Sequence, residues 1–308
     1  MDIHRAVNFK VNYEFTELAE IYGDETLIRK IGCVFISKSE SGSTIADDFV
    51  SISPLHGRAC VKYFEGNYFS LKGTGWTFGG PRFFMSPTHE ELFYGLLPED
   101  YAKKELLVSN ALSEKNFLAG RVVGYGVLGG VFSSLEIDGK PFNPTILYTQ
   151  MISPYRIADL MYFNLEKRRE LFIESYLPLS SKSQGSKLNN LFWDFLENLS
   201  QANNRLINLS GVNDSLMWDN VTLACEIVDF ENIYLPNVNS KHSLKHLRLD
   251  DRQKQSYVWL FELLYKMVNV LELDISFQDI ALQSFLCCEE DLQKENKKFL
   301  EGFIYSNS

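Results

Sequence analysis

The sequence predicts an α+β protein of two lobes, β-rich over residues 1–150 and mainly helical over residues 151–308. Three observations predict it. The first half carries short aromatic and β-branched runs separated by Gly, Pro and Ser. One helical segment interrupts those runs. After about residue 153 the apolar spacing changes to a helical period, broken by one short apolar run at 221–230.

The expected strands are KIGCVFIS (30–37), RACVKYF (58–64), NYFSLKG (67–73), RVVGYGVLGGVF (121–132) and PTILYTQMI (144–152), with a turn at IDGKPF before the last. The helix of the first half starts at Pro98, with acids in its first turn and apolar residues at Leu106, Leu107, Ala111 and Leu112. In the second half, helices are expected near 156–176, 186–206, 251–270, 275–287 and 289–305. The composition of SSKSQGS marks a loop between the first two. VTLACEIVDF (221–230) reads as a strand or a hairpin.

Composition bounds the function classes. The chain of 308 residues is 45% hydrophobic, 23% charged and 14% aromatic, which is ordinary for a folded globular protein. A formal charge of −10 argues against a dominant nucleic-acid-binding surface. No stretch approaches the roughly 20 apolar residues that span a bilayer. MDIHRAVNFKVNYEF has acidic and polar residues where a secretory signal needs an apolar run. The five cysteines, Cys33, Cys60, Cys225, Cys287 and Cys288, lack metal-ligand spacing and fit reduced thiols. Together these point to a cytoplasmic protein, or one delivered to a host cytosol, with no membrane span. Oligomeric state has no signature here.

Three segments carry chemistry. In SLKGTGWTFGG (70–80), Lys72 at a strand end precedes Gly73 and Gly75. A cation beside backbone without Cβ atoms suits phosphate oxygens, and a glycine-rich turn with a surface lysine suits the same residues. Trp76 stacks on an adenine, closes a pocket or caps the sheet. No G-x-x-x-x-G-K-[ST] motif occurs. On the helix, Glu105 offers a carboxylate to fix such a lysine, with Glu99 and Glu114 as competitors. In MWDNVTLACEIVDFEN (217–232), Asn220 and Asp229 bracket the apolar run and supply the hard oxygens that Mg²⁺ prefers. Asp219 then accepts a proton from an attacking hydroxyl or orients it, with Asp214 as the rival. His56 and His89 read as surface or turn residues, Cys287 and Cys288 as a helix face, and Phe192, Trp193 and Phe195 as helix core.

LKGTGWT, KELLVSNAL running on through AGRVV, the Asp219, Asn220 and Asp229 spacing, and DDRQKQSYVWLFELLYKM (250–267) occur in this order. In that order they resemble the selenoprotein O family of protein adenylyltransferases. The resemblance runs in patches from about residue 56 to 270. It implies a protein-kinase-like fold that uses ATP and Mg²⁺ or Mn²⁺ to transfer AMP to a Ser, Thr or Tyr hydroxyl of a protein. It also implies a Lys72–Glu105 ion pair, phosphate binding by Lys72, Gly73, Gly75 and Arg156, metal binding by Asn220 and Asp229, and Asp219 as the base. The chain departs from the family where Gln150 replaces one of two phosphate-binding arginines, where SGVNDSLMWDN lacks a histidine–glycine pair, and in the extra residues around FGGPRFFMSPTHEE. Transfer of the γ-phosphoryl group to a protein or small molecule, and a catalytically inactive nucleotide-binding interaction module, are the alternatives.

Overall fold

The computed structural model describes residues 9–14, 18–33, 35–41, 49–50, 52, 59–75, 95–114, 119–129, 136–137, 140–180, 187–209, 212–213, 216–230, 233–235, 238 and 249–286. The chain is α+β with antiparallel sheet pairing, and it divides into two compact units. One comprises Met1–Asn110 with Gly120–Pro154, the other Ala111–Ala119 with Tyr155–Ser308.

The first unit contains β1 (Phe9–Glu14), β2 (Leu18–Gly23), α1 (Glu25–Ile31), β3 (Phe35–Ser41), β4 (Phe49–Val50), β5 (Ala59–Phe64), β6 (Asn67–Lys72) and β7 (Leu97–Pro98). These are followed by most of α2 (Glu99–Ser113), then β8 (Arg121–Leu128), β9 (Glu136–Ile137), β10 (Lys140–Pro141) and β11 (Pro144–Met151). Its main sheet has the order β2-β8-β11-β6-β5-β4, with β7 also on β11. Separate antiparallel pairs join β1 to β3 and β9 to β10. β6 and β11 are central, so Lys72 lies opposite Leu147 on one side and Ala59 on the other.

One expected strand is corrected at its start. Lys30 and Ile31 close α1, which Asp24 caps by accepting a hydrogen bond from Leu27 N at 3.0 Å. Strand β3 begins only at Phe35. Ile28 and Ile31 are fully buried with Phe69, Leu71 and Tyr148, so α1 contributes to the core of the sheet. The β1 and β2 segments were not anticipated. In α2 the buried residues are Ala102, Glu105, Val108, Ser109 and Leu112, whereas Leu107 is 55% exposed. The buried stripe runs through a carboxylate, and of the apolar residues Leu106, Leu107, Ala111 and Leu112 only Leu112 is fully buried.

The second unit begins with a 3-10 turn at Ile157–Tyr162, followed by α3 (Leu165–Tyr176) and α4 (Leu188–Asn208). The single helix expected over 156–176 is broken because Asn164 caps α3, its side chain accepting from Lys167 N at 2.9 Å. Short strands β12 (Val212–Asn213) and β13 (Ile233–Tyr234) pair, and α5 (Leu249–Leu271) and α6 (Phe277–Leu286) complete the described elements. Residues 289–305, including the acidic run EEDLQKEN, lie outside the described residues.

Helix α4 is the centre of this unit. Leu191, Phe195, Leu199, Ala202 and Leu206 recur every three or four residues and are buried. Phe195 packs edge-on to Phe172 and Tyr176 of α3, with ring centroids 5.7 and 5.1 Å apart. Asp194 is buried beside them and is satisfied by Tyr176 Oη at 2.9 Å and Ser180 Oγ at 2.8 Å. Arg168 and Arg169 of α3 donate to Val270, Leu271 and Glu272 carbonyls, answering the orphan acceptors at the end of α5. None of the described helices is long and apolar enough to cross a membrane.

Two tests follow from this packing. Phe195→Ala should cost about 3–5 kcal/mol in urea denaturation, the range for emptying an aromatic site in a core. A cost below about 1 kcal/mol would refute the central place of Phe195. Burial pushes the Cys60 thiol up to about 12. The folded state therefore holds its proton more tightly, so this contribution is intact below the unfolded thiol pKa of about 8.5 and is lost as pH rises toward 12. Native protein should leave Cys60 unalkylated by iodoacetamide at pH 8, and urea should expose it. Labelling of native Cys60 at the unfolded rate, read by peptide mass spectrometry, would contradict that burial.

Candidate functional site

In the first unit, Glu105 is 1% exposed on the buried face of α2. An ionised carboxylate there needs a partner. Lys72, the last residue of β6, supplies it: Nζ lies 2.7 Å from Glu105 Oε1, with the two side chains 12% and 2% exposed. The strand end and the helix are thus tied by one charge-assisted hydrogen bond. Helix α2 is also held to β8, because Val122 N donates to Ser109 Oγ at 2.9 Å.

The competitors do other work. Glu99 binds Lys103 at 2.8 Å one turn on, and accepts from Asn143 Nδ2 at 3.1 Å. Burial pushes its carboxyl up, but Lys103, Asn143 and Tyr125 outweigh that and leave it below its usual value. Glu114 is exposed.

The glycines after Lys72 are required by backbone geometry. Gly73 has φ +99°, and a Cβ there would strike the Thr145 carbonyl and lie 2.9 Å from Leu97 Cβ. Gly75 also has positive φ and donates weakly to Gly95 O at 3.4 Å. Their close approach is to β11 and to Gly95, and both glycines are buried. Trp76, His56 and His89 lie outside the described residues. Gln150 is half-buried on β11, opposite Phe69 and Arg121.

In the second unit, residues 219–229 form a compact turn. Val221 bridges Ile227 in antiparallel fashion, and Val228 N donates to Asn220 O at 2.9 Å. Thr222 closes the interior: its Oγ1 accepts from Ala224 N and Glu226 N at 3.2 Å and donates to Glu226 Oε2 at 3.1 Å. Cys225 takes φ +64° at the tip. Because Asn220 and Val228 are paired, Asp229 leaves the hairpin at the same end as Asn220. Asp229 itself has φ +70°, an uncommon conformation for a residue with a Cβ. Asn220 is buried, while Asp219 and Asp229 are half-buried.

Arg156 reaches the same loop. Its Nη1 donates to the Asp219 carbonyl oxygen at 2.7 Å. Two further atoms are buried with no hydrogen-bond partner among the described residues, Arg156 Nε and Asp219 Oδ1. The sequence did not single out Asp159, which is fully buried and accepts from Arg156 N at 2.7 Å. The signal was present as an Arg-x-x-Asp spacing of the N-cap and N3 type. Asp214, Cys287 and Cys288 lie outside the described residues, as do the side chains of Asp250–Gln253 at the start of α5.

Lys72, Glu105, Gly73 and Gly75 therefore belong to one unit, and Arg156, Asp219, Asn220 and Asp229 to the other. Among the described residues no group of three or more His, Cys, Asp or Glu side chains is arranged to hold a metal. Asn220 and Asp229 offer one amide and one carboxylate at one end of a hairpin, a donor set that suits a hard cation completing its shell from phosphate and water.

The ion pair makes a sharp stability prediction. Lys72→Met strands a buried carboxylate and should cost about 3–5 kcal/mol in urea denaturation. The double variant Lys72→Met with Glu105→Leu should recover most of that loss. Equal losses in the single and double variants would show that the two side chains are not coupled. No protein-family model matches this chain and neither does any curated protein, so the arrangement of these side chains carries the functional reading.

Proposed function

We propose that the chain is an ATP-dependent protein adenylyltransferase on a two-lobed, protein-kinase-like fold, moving AMP from ATP to a Ser, Thr or Tyr hydroxyl of a protein. The observation that carries the ATP-using part is the buried Lys72–Glu105 pair at 2.7 Å. A lysine held at a strand end by a helix carboxylate is the device by which kinase-like folds fix a cation for nucleotide phosphates. The choice of AMP as the transferred group rests on the family resemblance of the Asp219, Asn220 and Asp229 spacing.

In this reading Lys72 binds phosphate oxygens and Glu105 holds Lys72 in place. Gly73 and Gly75 set the course of the chain beside them. Asp219 takes the proton of the attacking hydroxyl or orients that hydroxyl. The hydroxyl oxygen forms a bond to the α-phosphorus, the bond from that phosphorus to pyrophosphate breaks, and pyrophosphate leaves. Asn220 and Asp229 would hold Mg²⁺ or Mn²⁺, which supplies charge neutralisation for the phosphates. Catalysis is then chiefly positioning and electrostatic stabilisation.

One observation favours a second reading. Gln150 stands where the resemblance has a phosphate-binding arginine, and one fewer cation suits a nucleotide-binding interaction module that transfers nothing.

ATP labelled at the α or the γ phosphate separates the outcomes. The α label should appear on protein, and Asp229→Ala should lower its incorporation at least 100-fold, on the order seen when one group that stabilises developing charge is removed. The γ label on acceptor instead would establish a kinase. Retained ATP binding with neither label transferred would establish the module. Unchanged transfer by Asp229→Ala would remove Asp229 from the site.

A further inference from the structure

We propose that Arg156 is a positioning residue that fixes the Asp219 loop through its backbone, in place of the phosphate contact that the resemblance gives it. The inference rests on the reading of Asp219 as the group facing the hydroxyl.

The loop 216–223 carries Asp219 and Asn220, and the segment Tyr155–Ala158 holds it along a short antiparallel seam. Ile157 N donates to Val221 O at 3.0 Å, Ala158 N to Trp218 O at 3.0 Å, and Leu223 N to Tyr155 O at 2.8 Å. Arg156 bridges Thr222 within the same seam. These bonds reach Trp218 on one side of Asp219 and Val221 beyond Asn220, but none reaches Asp219 itself. The guanidinium closes that interval: Arg156 Nη1 donates to Asp219 O at 2.7 Å.

Two features suit this role. The Arg156 backbone is itself fixed, since its N donates to the buried Asp159 carboxylate at 2.7 Å and its O accepts from Asp159 N at 3.0 Å. The Nε is also buried, so a phosphate does not reach that edge of the fork without displacing the side chain. Asp219 Oδ1 has no hydrogen-bond partner among the described residues, so the carboxylate is aimed by its backbone more than by a bond at that oxygen. A guanidinium suits such a pin because its donors lie in one rigid plane.

Arg156→Ala and Arg156→Lys test this by two measurements. Hydrogen exchange, read by mass spectrometry, should quicken about tenfold or more at the amides of 216–223 in the alanine variant, while α4 keeps its protection. In α-label transfer, kcat should fall roughly 10- to 100-fold with the KM for ATP within about twofold, as expected when a reacting group is displaced without loss of a substrate contact. Arg156→Lys retains one donor and should restore part of both. Unchanged exchange or unchanged kcat would overturn the proposal. So would a tenfold rise in KM at constant kcat in both variants, the signature of a lost phosphate contact. If the wild-type chain transfers no label, the proposed function falls, and exchange alone decides whether Arg156 pins the loop.

Discussion

A carboxylate on the buried face of α2 sets the terms for the first unit. Glu105 occupies a position that an apolar residue would fill at less risk, and it is tolerable there because Lys72 ends β6 within 2.7 Å of it. That requirement fixes the distance between helix and strand and the point at which β6 stops. The chain turns immediately after Lys72, at Gly73, where a Cβ would strike the Thr145 carbonyl on β11. A buried pair of this kind adds little net stability over an apolar pair of equal volume. What the pair does set is the orientation of a largely desolvated ammonium group.

The second unit solves a related problem with backbone. Asn220 and Asp229 reach the same end of a hairpin because Val228 pairs with Asn220, and the hairpin turns tightly because Thr222 answers three groups within its loop. The helices around it supply rigidity. Phe195 and its aromatic neighbours anchor α4 to α3, and Arg168 and Arg169 clasp the end of α5. The hairpin itself is held by these hydrogen bonds and by the full burial of Val221, Leu223, Ala224, Ile227 and Val228.

The sequence revealed most where local chemistry decides local structure. Strands β5, β6, β8 and β11 and helix α4 follow from periodicity, and the Lys72–Glu105 pair could be named before any geometry through the family resemblance, where charge alone left Glu99 and Glu114 as competitors. Where tertiary packing decides, the reading failed. The helical character of Lys30 and Ile31 depends on the Asp24 cap and on burial against β6 and β11, neither of which a β-branched run reveals. On α2, Leu107 is exposed while Glu105 is covered, an inversion that requires knowing where Lys72 is. The glycines of 73–75 suit a ligand and a turn alike in the sequence, and their freedom is used against the protein's own backbone. Arg156 was read by its charge, whereas its position shows a contact with a neutral carbonyl.

Asp229 has a φ of +70°, where an L-residue bears strain on the order of 1 kcal/mol that glycine would not. That strain makes the position a natural recorder of selection. Glycine at this site would relieve that strain. A carboxylate retained there across divergent copies would mark continued use of the side chain, legible from sequence comparison even where substrate and partner have changed.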